Sequence, residues 1–158
     1  MRLITAFVIA MVLSASPLLI AQDEQPPTER RSVTLRSTDQ TKQFTSSFLN
    51  TMATGTTYEA FGMLKTANTT SDSDIDATRD RTQGMLDNLR ATYGKPVGYD
   101  LLAEHTLGAT IIRYDALLKL EKYAVRCTVT YYRATDTWVP VRVVFDEDVD
   151  ALFTELGR

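Results

Sequence analysis

From Tyr99 to Phe145 apolar side chains return at every second position, in four runs separated by polar or glycine-containing breaks. A period of two belongs to strands with one covered face. This half of the chain therefore has to build an antiparallel sheet, and the rest has to cover it. The runs are Tyr99–His105, Thr110–Leu118, Tyr123–Tyr132 and Trp138–Phe145. Pairing Tyr132 with Trp138 across the last turn sets Val129 against Val141, Cys127 against Val143 and Val125 against Phe145. A four-residue loop, Lys119 to Lys122, sets Ile112 against Val129, Tyr114 against Cys127 and Ala116 against Val125 in the hairpin before it. In the first hairpin a loop of Thr106 to Ala109 pairs His105 with Thr110, Ala103 with Ile112 and Leu101 with Tyr114. A one-residue slip in the middle hairpin would turn Arg113 and Asp115 into the apolar layer, so the faces are strongly specified. The opposite face carries Arg113, Asp115, Arg126, Thr128, Thr130, Tyr132 and Arg142, with Asp115 opposite Arg126 as a surface ion pair. Pro140 has no N–H for a ladder, which predicts an edge strand or a bulge there.

The cover precedes the sheet. Phe44, Phe48, Leu49 and Met52 share one face of a helix over Thr41 to Met52, and Gly55 ends it as a residue that tolerates positive φ. Thr56-Thr57-Tyr58-Glu59 reads as a capping box that starts a second helix with Ala60, Phe61 and Leu64 inward. A third helix runs from near Ser73 to Tyr93, with Ile75, Thr82, Met85, Leu86, Leu89 and Tyr93 on one face. Gly94 and Pro96 stop it. Asp148 caps a short last helix carrying Val149, Leu152, Phe153 and Leu156. The predicted class is α+β: three N-terminal helices on one face of a curved four-stranded antiparallel sheet, with a short C-terminal helix.

Residues 1–21 have the build of a secretion signal. Arg2 is followed by the apolar run Leu3–Leu13, the helix-weakening Ser14, Ser16 and Pro17, and a small residue, Ala21, before Gln22. An uncleaved anchor is the alternative, since the run approaches the roughly 20 residues of a span. Cleavage predicts a secreted or periplasmic protein with no membrane span left. Residues 22–38, with Pro26-Pro27 and scattered charge, read as a flexible linker, and 39–158 as a single domain. Removing residues 1–21 from the 158 leaves 137, enough to bury a sizeable core without staples. Cys127 is the only cysteine, so no intrachain disulfide forms. The net charge of -3 argues against a nucleic-acid partner.

The order of elements resembles the nuclear transport factor 2-like, or cystatin-like, α+β cone folds, in particular secreted bacterial members of unassigned activity. The resemblance rests on Phe44 to Gly55 leading into Tyr58 to Leu64, on a longer helix ending in Tyr93-Gly94, and on Tyr131-Tyr132-Arg133 before Trp138. It covers about Thr41 to Leu156, without the hairpin that many members insert before the third helix. It implies helices and a concave sheet enclosing a cone. Some members bind apolar ligands there, some catalyse, and many dimerise.

On this reading the ligand pocket is lined by Tyr99, Leu101, His105, Ile112, Tyr114, Val129, Tyr131 and Val141, a mainly apolar wall with a few polar tips. No Asp or Glu is expected on that face, Asp100 and Glu104 alternating outward. The fold's isomerase-type members use a buried acid as base, so no catalytic residue is assigned. His105 is the one alternative base. Cys127 is expected to be a buried, inert thiol. One histidine and one cysteine leave no recognisable metal-ligand set, and no cofactor is expected. Asp146, Glu147, Asp148 and Asp150 lack the spacing of a calcium loop. Asn68-Thr69-Thr70 is a glycosylation sequon. The expectation is a secreted, non-enzymatic binding or interaction module holding a small apolar ligand between helices and concave sheet. Two alternatives stand beside it: a proton-transfer or hydrolytic enzyme using His105 with Tyr99 or Tyr114, and a structural homodimer through the outer sheet face with Tyr132 and Trp138 as anchors.

Overall fold

The computed structural model describes residues 32–67 and 71–156. The signal at 1–21, most of the linker and the sequon at 68–70 lie outside the described residues. Three helices, α1 (Thr38–Thr54), α2 (Thr57–Ala67) and α3 (Asp72–Tyr93), precede the strands β1 (Pro96–Leu107), β2 (Ile111–Leu120), β3 (Ala124–Arg133) and β4 (Trp138–Asp146). A short α4 (Asp150–Leu156) closes the chain. The strands form one antiparallel meander in the order β1-β2-β3-β4. The architecture is α+β, as the alternation demands.

Helix starts follow local chemistry. Ser37 Oγ accepts from Gln40 N–H while Gln40 Oε1 accepts from Ser37 N–H, a capping box ahead of the predicted start of α1. Thr56 and Glu59 form the predicted box at α2. Asp148 Oδ1 accepts from Ala151 N–H at α4. Gly55 ends α1 for a reason other than the expected one. Its φ is -110°, and a Cβ there would lie 2.8 Å from Glu59 Oε2. Close approach to the Glu59 carboxylate of the next capping box, not a left-handed conformation, favours the glycine. Gly94, at φ +88°, does take that conformation at the end of α3. The chain joins the domain before Thr38: buried Leu35 pairs with Trp138 at the start of β4, and Val33 N–H donates to Thr66 C=O.

The core lies between the helices and one face of the sheet. Phe48, Leu49, Met52, Phe61 and Leu86 meet Leu118, Val125, Cys127 and Val129 in a fully buried layer. Phe48 packs edge-on to Phe61 at 5.8 Å and tilted against Phe145 at 6.1 Å.

The register departs from expectation in all three hairpins. Between β2 and β3 the turn is two residues, Glu121-Lys122, because both turn amides are claimed by Lys95 C=O and Tyr93 C=O at the end of α3. Tyr114 therefore faces Val129, and Ile112 faces Tyr131. The slip is by two residues, so the faces are kept. In β1 a bulge falls between Leu101 and Ala103. Tyr99 and Leu101 remain on the helix side, opposite Leu118 and Ala116. Beyond the bulge the faces invert: Glu104 lies opposite Tyr114, and His105 lies opposite Arg113 on the outer face. Both reverse the sequence reading. In β4 the extra residue is Val141, between the pairs Tyr131–Pro140 and Thr130–Arg142. Pro140 thus sits on an edge strand and beside a bulge. The inversion carries Trp138 into the core, 3 % exposed, and leaves Tyr132 outside at 43 %.

Candidate functional site: the cleft between α3 and β4

Four of the eight expected pocket residues, Ile112, Tyr114, Val129 and Tyr131, are together on the concave face and fully buried. They are packing, with the tyrosine hydroxyls bonded to α1. The Tyr114 hydroxyl lies 2.8 Å from Thr41 Oγ1, and both hydroxyls reach Thr38 C=O as donors, at 3.2 and 2.7 Å. Thr45 Oγ1 likewise donates to Thr41 C=O, and the Tyr131 hydroxyl donates to Thr45 at 2.8 Å. Burial raises the Tyr131 phenol above its ordinary range, more than the Thr45 bond lowers it. Burial also raises Tyr114, with Glu104 and Asp39 adding to it against the Thr41 bond. Tyr99 and Leu101 pack half-buried at the rim of this layer. Cys127 is completely buried and its thiol is pushed far up by that burial, with Asp146 and Asp115 adding to it. It is no nucleophile.

His105 lies on the other side of the sheet from Tyr99 and Tyr114, so the dyad of the enzyme alternative is not assembled. Its Nε2 lies 2.8 Å from Asp115 Oδ2, though not aligned as a hydrogen bond. Arg113 donates to the same oxygen at 3.1 Å. Asp115 is fully buried beneath these two, where a surface pair was expected, and stands opposite Thr128. Arg126 closes side-on onto Asp146, at 2.9 and 2.8 Å. A polar hollow of about 280 Å³ opens over this outer face between Arg113, Arg126, Thr128, Thr130, Arg142 and Val144. With Trp138 turned inward, the outer face keeps Tyr132 but loses the second expected dimer anchor.

The larger opening is between the helices and the edge strand. One hollow, of about 170 Å³, is lined by the apolar Phe61, Leu64, Ile75, Pro140 and Val141 together with Asp74, Thr78, Arg142 and Val143. A second, of about 360 Å³, continues it between α3 and β4 and shares Thr78, Arg142 and Val143. Its α3 wall is Thr78, Arg81, Thr82 and Met85, spaced i, i+3, i+4 and i+7 on one helical face. Its sheet wall is Val143, Val144 and Phe145 beside Arg142. Two local causes keep it open. Thr78 and Arg81 stand where the helix could have placed large apolar side chains. The bulge at Val141 interrupts the ladder of β4 next to a proline that cannot extend it. Val141, 44 % exposed, is the one expected pocket residue that lines this cleft. Ile75, Thr82 and Met85 were legible as one helical face; Thr78 and Arg81 were not singled out, and Arg142 was read only as an outer-face residue.

Among the described residues no group of three or more His, Cys, Asp or Glu is placed to hold a metal ion. None of the described helices is long and apolar enough to cross a membrane. No family model, no curated protein and no solved structure matches the chain.

Proposed function

We propose that the chain is a secreted or periplasmic, non-enzymatic binding module that takes a small apolar ligand in the cleft between α2, α3 and β4. The observation that carries this reading is the pair of adjoining hollows itself, which share Thr78, Arg142 and Val143, are apolar at the Phe61–Leu64–Ile75 end, and are left open by a helix and an edge strand that a few larger side chains would have closed. Its 360 Å³ part falls in the range of small-molecule sites. The concave wall, whose polar tips are spent on α1, offers no comparable set of unspent groups. The separation of His105 from the tyrosines favours binding over proton transfer. A place among the cone folds is part of the same proposal, supported by helices leading into a curved meander. Calorimetric titration with 1-octanol tests it. Thr78→Phe puts a ring where the two hollows meet. Binding is expected in the native chain and about tenfold weaker or absent in T78F, with the circular dichroism spectrum unchanged. Equal binding by both proteins would refute the cleft as the site.

A further inference from the structure

The charges around the larger hollow are one-sided. No carboxylate lines the 360 Å³ hollow, yet two arginines do, Arg81 from α3 and Arg142 from β4. This happens in a chain with 20 acidic against 17 basic side chains. Asp74, which lines the smaller hollow, accepts from Ser71 Oγ at 2.7 Å, within the helix-start motif of α3. The other α3 arginine of that turn region, Arg79, is bound to Asp80 and Asp76. Arg81 and Arg142 thus give the cleft a cationic end, and Phe61, Leu64 and Ile75 give it an apolar one.

We infer that the ligand of this cleft is an amphipathic anion: an apolar chain seated against Phe61, Leu64 and Ile75, with an oxyanion head between Arg81 and Arg142. This rests on the cleft reading above and adds the chemical class of the ligand. Guanidinium forks bind planar and tetrahedral oxyanions by paired N–H donors, and such bonds exceed neutral ones in strength. Thr82 adds a hydroxyl on the helix wall between the two ends, whereas Thr78 gives its proton to Asp74 C=O at 2.9 Å. Arg142 also borders the outer-face hollow, so the head remains in contact with water while the chain is covered.

The test is calorimetric titration with octanoate, octyl sulfate and neutral 1-octanol, which share one chain length. At least one of the two anions is expected to bind about tenfold more tightly than 1-octanol, and the preference between them identifies a carboxylate or a sulfate-like head. Arg142→Gln should abolish that advantage while leaving 1-octanol affinity unchanged, and Lys42→Gln, on an exposed face of α1, which lines neither hollow, should leave all three unchanged. Octanol bound as tightly as both anions, or an anion advantage that survives R142Q together with Arg81→Gln, overturns the anion assignment and leaves the apolar cleft standing. No measurable binding of any of the three overturns both.

Discussion

Tyr131 and Thr45 offer a sharp energetic test, because each hydroxyl exists in the structure for the other. Both residues are fully buried, and their oxygens are 2.8 Å apart. Thr45 spends its proton on Thr41 C=O at 2.9 Å, so Tyr131 is the donor and Thr45 the acceptor. Thr45→Val keeps the branched shape but leaves the Tyr131 hydroxyl buried with nothing to donate to. An orphaned buried donor costs about 1–3 kcal/mol, against about 1 kcal/mol for the net loss of an ordinary bond. Tyr131→Phe removes the donor and leaves a threonine that still makes its backbone bond, so it should cost about 1 kcal/mol. The double variant removes both partners together and should be more stable than T45V alone. Urea unfolding of the four proteins gives the cycle directly, with a predicted coupling of about 1–2 kcal/mol. For a domain of this size T45V should lower Tm by roughly 5–10 °C. A double variant no more stable than T45V would refute the donor assignment and the claim that this layer is packing rather than a site.

Three further outcomes follow from the same packing. Stability should fall as pH rises above about 9, because Cys127 and then Tyr131 bind protons more tightly folded than unfolded. Both are neutral in either state below that, so the loss begins near the unfolded values and approaches about 1.4 kcal/mol per pH unit for each group; urea midpoints at pH 7, 9, 10 and 11 measure it. Cys127→Ala should remove the part that begins near pH 9. Leu35→Ala should cost about 2–4 kcal/mol, since Leu35 is 4 % exposed against the core, whereas a linker residue would cost almost nothing.

Period and face were legible in the sequence, and exact register was not. The alternation from Tyr99 to Phe145 specifies a sheet with one covered side, and a two-residue slip, as at Tyr114 and Val129, leaves that information intact. A single extra residue does not. Leu102 and Val141 are ordinary strand residues by type, and nothing in their chemistry marks them as bulged, yet they decide that His105 faces out and Trp138 faces in. Pro140 was the one visible warning, and the irregularity lies beside it. The concave wall looked like a pocket because cores and pockets share a composition. What separates them here is the pairing of Tyr114 and Tyr131 with Thr41 and Thr45, more than 70 positions away in sequence. The cleft was hidden for the same reason: Thr78 and Arg81 become its wall only once β4 stands opposite α3.

The account stands on ligands entering beside β4 and not between α1 and the sheet. Methyl chemical shifts during a 1-octanol titration measure this most directly. Saturable shifts at Leu64, Ile75, Val141 and Val143, with Ile112, Leu118, Val125 and Val129 unmoved, are the predicted result. Shifts concentrated on Ile112, Leu118, Val125 and Val129 would place the ligand in the concave interior and contradict it.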